Sequence, residues 1–168
     1  MKHTVGYEIM GDLKITKEPV AKAEMLIRRP VEDVFEAFID PAITTKFWFT
    51  KSTGRLEVGK QIKWDWEMYN VSTTVKVKTI EENRRILIEW QGYTGPTTVE
   101  WIFTRYGNQA TFVSVTESGW VGDGDTLVRC ALDSTGGFTW LLAGSKAWLE
   151  DGVMLNLVAD HNPKGIVH

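Results

Sequence analysis

Ser134-Thr135-Gly136-Gly137-Phe138-Thr139-Trp140-Leu141-Leu142-Ala143-Gly144-Ser145-Lys146-Ala147-Trp148-Leu149-Glu150 is the one stretch of the chain with a sustained helical period. Phe138, Leu141, Leu142, Ser145, Trp148 and Leu149 recur at intervals of three and four, which gathers them on one stripe. The phase extends back through Val128, Ala131, Leu132 and Thr135, predicting a helix that begins near Asp125. Asp123 and Asp125 are candidate caps, since a carboxylate there satisfies an orphan amide and suits the positive helix end. Gly136 and Gly137 each cost about 1 kcal/mol against Ala inside a helix. A kink or a close approach by another surface is the expected compensation.

What precedes this helix reads as strands in need of an apolar cover. Val20 to Ile27 is strand-like and ends at Arg28-Arg29-Pro30; Val31, Val34, Phe35 and Phe38 then form a short helical stripe, with Glu32 and Asp33 in its first turn. Asp40-Pro41 stops that helix and opens a second, predicted through Phe47, Trp48 and Phe49. A short strand is expected over Thr53 to Glu57. Gln61 to Met68 alternates, with Ile62, Trp64, Trp66 and Met68 on one face; Val71, Thr73, Val75 and Val77 repeat the pattern. Ile86, Ile88 and Trp90 follow, then Val99, Trp101 and Phe103, then a hairpin at Tyr106-Gly107-Asn108 and a last strand over Gln109 to Ser118. An antiparallel sheet with one apolar face must cover it, and the last helix is the only element long enough. The sheet is therefore expected to curl around that helix. Met154 to Ala159 is apolar but too short to assign.

The totals narrow the function. A chain of 168 residues is expected to form one domain, with residues 1–19 as an arm, 20–160 as the domain and 161–168 as a tail. Net charge is −3, with 19 basic and 22 acidic residues interspersed, so no basic stripe serves a phosphate backbone and nucleic acid is not an expected partner. Cys130 is the single cysteine and no signal-like apolar run opens the chain, which predicts a cytoplasmic protein; no segment reaches the roughly 20 apolar residues of a membrane span. Eight tryptophans are the compositional anomaly that a function has to explain.

The run Arg29-Pro30-Val31-Glu32-Asp33-Val34-Phe35-Glu36-Ala37-Phe38 with Asp40-Pro41, then Phe47-Trp48, a meander, Gly137-Phe138-Thr139-Trp140-Leu141-Leu142 and Leu149-Glu150 resembles the SRPBCC (START/Bet v-like) superfamily. Within it, the chain resembles the branch related to the C-terminal domain of the heat-shock-protein-90 ATPase activator, over roughly residues 20–160. The resemblance implies an α+β helix-grip fold: a curved antiparallel sheet of about six or seven strands wrapped around a long C-terminal helix, two short helices after the first strand, and a cavity between. It also implies a chaperone partner as one alternative. Family members often carry two tryptophans where this chain has Phe47-Trp48, so an indole donor is lost there.

The chemistry points to binding more than to turnover. His3, His161 and His168 all lie near the termini, which removes the usual base for a Ser or Cys nucleophile. Cys130 reads as an inert buried thiol on the helix, and Asp123-Gly124-Asp125 lacks the later ligands of a calcium loop. No metal and no cofactor are expected. What remains is an aromatic interior: Trp64, Trp66, Trp90 and Trp101 fall on the apolar faces of separate strands, with Phe138 and Trp148 expected to face them from the helix. Such a lining suits a small apolar or aromatic molecule held between sheet and helix, with Trp48, Trp64, Trp66, Trp90, Trp101, Glu117, Phe138 and Leu142 as its candidate contacts. The same indoles could equally be filling a core. Glu117 shares a strand face with Val113 and Val115, so its carboxylate is expected to point inward. It is the one candidate for chemistry, with Tyr93 as an acid–base partner, should the protein be an enzyme.

Overall fold

The structure is a computed structural model, and it describes residues 14–166; most of the expected arm over 1–19, and His3 and His168 with it, lies outside the described residues. The elements in chain order are β1 (Ala21–Ile27), α1 (Val31–Ile39), α2 (Pro41–Thr44), β2 (Lys51–Ser52), β3 (Gln61–Trp66), β4 (Val71–Glu81), β5 (Arg85–Gly92), β6 (Gly95–Tyr106), β7 (Ala110–Ser118), α3 (Gly124–Asp151) and α4 (Leu157–Asp160). All seven strands pair antiparallel in one curved sheet of order β1-β7-β6-β5-β4-β3-β2, so β3 to β7 form a meander and β1 joins at the far side of β7. The long C-terminal helix α3 packs chiefly on β1, with further contacts to β7 and α1. This is the expected α+β architecture.

Local chemistry sets the boundaries. Pro30 sits at the start of α1, whose Val31, Val34, Phe35, Ala37, Phe38 and Ile39 are buried. Asp40 ends α1 and caps α2, its side chain accepting from the Ala42 amide at 2.9 Å. Asp123 caps α3 in the same way, accepting from the Thr126 amide at 2.8 Å, and Gly152 closes that helix in the left-handed region. Helix α3 therefore begins next to the predicted Asp125.

Several expectations are corrected. The second short helix ends at Thr44, and Phe47, Trp48 and Phe49 are buried from the loop that follows. The strand expected over Thr53 to Glu57 is the two-residue β2, while Leu56 is buried and donates its amide to the Ile39 carbonyl. Alternation in β3 stops at Trp66, because Glu67–Tyr69 turns as a 3-10 helix that Asn70 closes at positive φ. Met68 is thus off the strand, and Val71 is half exposed although Val75 and Val77 are buried. The apolar Met154 to Ala159 segment resolves into an exposed Met154-Leu155 pair and the short α4. Beyond α4, the His161 ring lies 3.9 Å from that of Trp140, and the Tyr69 hydroxyl donates to the Val158 carbonyl.

The glycines of α3 divide its length. Among the described residues no surface approaches Gly136 or Gly137: a Cβ at either would meet nothing within 4 Å. The close approach is at Gly144, where a Cβ would stand 3.2 Å from the Phe47 Cβ and 3.4 Å from its carbonyl oxygen. Accordingly the buried residues of α3 are Phe138, Leu141, Leu142, Gly144 and Ser145, whereas Leu127, Cys130, Ala131, Ser134 and Gly137, on the same side, are only half buried. The second half of the helix is seated, and the first half is only half covered. Gly137→Ala should therefore raise stability by about 0.5–1 kcal/mol through helix propensity alone. Gly144→Ala should forfeit that gain to the Phe47 contact; chemical denaturation of the two variants reads the contrast.

At the seated end, Glu150 ties helix to sheet. One of its carboxylate oxygens accepts from the Arg28 amide at 2.6 Å and from Lys146 Nζ at 2.5 Å, and Lys146 also donates to the Leu26 carbonyl at 2.8 Å. Burial opposes the Glu150 charge, but the Lys146 and Arg28 donors outweigh it and hold the carboxyl below its ordinary value. A depressed carboxyl stabilises the fold above its unfolded pKa, and that contribution disappears as pH falls through the lower folded value. Glu150→Gln should cost about 1–2 kcal/mol at pH 7, and the gap from wild type should close below pH 4 in parallel urea titrations.

Candidate functional site

Strand pleating brings the indoles to one concave face. Trp64 on β3, Trp90 on β5 and Trp101 on β6 meet Trp48, which the loop after α2 drops among them. The Trp48 ring centre lies 4.9 Å from Trp64, 5.9 Å from Trp66, 6.1 Å from Trp90 and 5.9 Å from Trp101. From α3, Phe138 stacks on Trp90 and meets Trp101 edge-on, each at 6.1 Å. Leu142 joins the same core, fully buried. Trp148 does not: it is half buried at the side of the core, with Lys46 Nζ 5.7 Å over its ring.

Depth separates these side chains into two groups. Trp64 and Trp101 are 2% and 1% exposed, and the gap they share with Phe38, Trp48, Leu56 and Ile86 totals about 160 Å³ of crevices, none wide enough for a water molecule. There the indoles fill the core. Among the described residues Trp101 Nε1 has no acceptor, a buried donor left unpaired by that packing. Trp66 and Trp90 are only partly buried; Trp90 stacks on Phe138 of α3, and Trp66 lies beside Trp90 at the end of β3.

Glu117 lies at the boundary between the two. Val113, Val115 and Glu117 do share the inner face of β7, and the carboxylate is 4% exposed. Cross-strand register explains its neighbours: Trp90 pairs with Thr97, and Val99, two residues along from Thr97, pairs with Glu117. Glu117 Oε1 accepts from Trp90 Nε1 at 2.8 Å and from Thr97 Oγ1 at 2.5 Å; Oε2 accepts from Ser134 Oγ at 2.5 Å, reaching across to α3. Three neutral donors thus hold a buried carboxylate beside the half-open part of the helix.

Thr97 and Ser134 escaped the sequence reading. Both had a signal: Thr97 is in phase with Val99 and Trp101, and Ser134 is one helical turn before Phe138. Tyr93, the expected acid–base partner, is fully exposed at the β5–β6 turn and does not enter the cleft. Among the described residues no cluster of His, Cys, Asp and Glu has the make-up of a metal site, and no helix is long and apolar enough to cross a membrane. A concavity of about 770 Å³ is an open basin at the other end of β7 beside Arg28, Arg29, Tyr106 and Asn108, remote from Glu117.

With that geometry established, comparison with known proteins places the chain. Residues 28–134, more than half of its length, match the family described as Activator of Hsp90 ATPase homolog 1-like protein. The chain belongs to this family. Its fold is one whose members bind ligands or act as co-chaperone-like domains. No curated protein sequence matches the chain. Among solved structures, a Staphylococcus saprophyticus protein is 29% identical, with a TM-score of 0.70 over 82% of this chain and 96% of that one. The Aha1 dimer from Colwellia psychrerythraea, solved in solution, is 22% identical, with a TM-score of 0.67 over 80% and 98%. CalU16 from Micromonospora echinospora is 14% identical, with a TM-score of 0.59 over 86% and 90%. The last two share the fold with this Activator of Hsp90 ATPase homolog 1-like chain.

The two depths have different consequences for substitution. Trp64→Ala and Trp101→Ala should each destabilise by about 3–5 kcal/mol, whereas Trp66→Ala should cost well under that because its ring is only partly buried; Trp90→Ala also strips a donor from the buried Glu117 carboxylate and should not share the lower cost. Thermal melts of the four variants test the division.

Proposed function

We propose that this protein binds a small aromatic or apolar molecule in the cleft bounded by Trp66, Trp90, Glu117 and the Ser134–Gly137 turn of α3. The supporting observation is the juxtaposition of a buried, hydrogen-bonded carboxylate with two partly exposed indoles beneath a helix turn whose Gly137 has no neighbour within 4 Å of a Cβ position. Ligand sites are mostly apolar and concave, with a few fixed polar groups, and this cleft has that composition. Its surroundings are also apolar. Val71, Val121 and Tyr93 expose large hydrophobic surfaces near the same end of the sheet, where Val121 N–H donates to Thr94 Oγ1.

The binding site is therefore shallower than a cavity running the length of the helix. Trp64, Trp101 and Leu142 act as the rigid floor, and Trp48 and Phe138 hold Trp66 and Trp90 in place. Membership of the activator family favours a second reading, a co-chaperone-like interaction with a protein partner. The small-molecule reading is preferred because a protein-docking surface does not require a carboxylate sunk 96% below it.

Binding is tested with the neutral fluorescent probe N-phenyl-1-naphthylamine. Saturable binding to the wild type is expected, weakened at least tenfold in Gly137→Leu, which fills the gap, and in Trp90→Ala, and unchanged in the outer-face variant Lys76→Gln. Equal affinity for Gly137→Leu and wild type would remove the cleft as the site.

A further inference from the structure

We infer that the cleft selects a cationic ligand, an aromatic or apolar ammonium, over its neutral and anionic counterparts. This inference rests on the cleft reading above and adds the charge of the occupant.

The buried Glu117 carboxylate has no formal counter-charge among the described residues. Every ion pair among the described residues uses a carboxylate other than Glu117, so no Lys, Arg or His among them comes within 4.0 Å of its oxygens. Its partners are an indole N–H and two hydroxyls, which solvate a carboxylate but carry no formal positive charge. Burying such a group without a counter-charge is costly, and a ligand bearing one recovers part of that cost.

Geometry directs the counter-charge to one oxygen. A carboxylate offers about four acceptor positions. Oε1 already receives Trp90 and Thr97, whereas Oε2 receives only Ser134. Oε2 is the oxygen on the helix side, and Ser134 is three residues before Gly137, where the space is open. An ammonium donating to Oε2 would occupy that position.

The walls favour the same sign. The rings of Trp66 and Trp90 stand 6.5 Å apart at 67°, and both are partly exposed. Indole faces carry negative potential and attract cations. An anion would meet both the carboxylate and the ring faces, and a neutral ligand would leave the carboxylate unbalanced.

Three probes of one shape test this: phenethylammonium, 2-phenylethanol and phenylacetate, titrated by quenching of tryptophan fluorescence at pH 7. Phenethylammonium should bind at least tenfold more tightly than 2-phenylethanol, with no detectable binding of phenylacetate. In Glu117→Gln the preference between the first two should vanish while 2-phenylethanol binding persists. Should Glu117→Gln fold poorly, Trp66→Leu provides the check: removing one of the two ring faces should lower phenethylammonium affinity several-fold more than 2-phenylethanol affinity, and an equal loss for both would count against the charge inference. If the wild type binds 2-phenylethanol as tightly as phenethylammonium, the charge inference fails and the cleft reading survives. If it binds none of the three and also fails to bind the naphthylamine, both fail.

Discussion

Contact between Gly144 and Phe47 sets how far α3 descends onto the sheet, and the rest of the interior follows from it. With no side chain at 144, the helix axis comes close enough for Phe138, Leu141 and Leu142 to reach the indole floor. Dispersion and hydrophobic terms both fall away over fractions of an ångström, so this single close approach governs many others. Phe138 is the last residue, reading toward the N-terminus, to be seated. Ser134 one turn earlier reaches the sheet only through its hydrogen bond to Glu117.

That arrangement gives α3 two mechanical regimes. Its C-terminal half is pinned by the core and by the Glu150 link to the Arg28 amide. Its N-terminal half is tethered by Asp123 capping and by Ser134, with Leu132 largely exposed and two glycines in between. Two glycines in mid-helix lower stability without relieving any clash, which is an unusual use of sequence in a structural helix. Gly137 makes sense if the space beneath it has a use, since a larger side chain there would occupy it.

Much of this was legible in the sequence because period and register are local properties. The three-and-four spacing after Ser134 and the two-residue alternation of Trp64, Trp101 and Glu117 fixed the helix, the sheet and the inward carboxylate. Depth was not legible. Alternation places Trp64 and Trp66 on the same face, yet one is sealed under Phe49 at a ring separation of 4.7 Å and the other lies near the edge where β3 breaks into a turn. That difference depends on the path of a loop, residues 45–50, whose course no periodicity encodes. Trp148 shows the same limit from the helix side. It is in phase with Leu141 and Ser145, but it packs only partly buried against the core, with Lys46 over its ring.

The tryptophan count acquires a physical reason from this division. Between the curved sheet, α1 and α3 more volume is left at the centre than Val and Ile can fill, and Trp48, Trp64 and Trp101 close it to crevices of about 160 Å³. The cost is an orphaned N–H on Trp101. Trp90 avoids that cost because its Nε1 reaches Thr97 and Glu117. The same bond orients the carboxylate, so the residue that ends the aromatic core also begins the polar site. Core and site are continuous here: the deep indoles fix Trp90, Trp90 and Thr97 fix one oxygen of Glu117, and the other oxygen is left to the helix and to whatever enters beneath it.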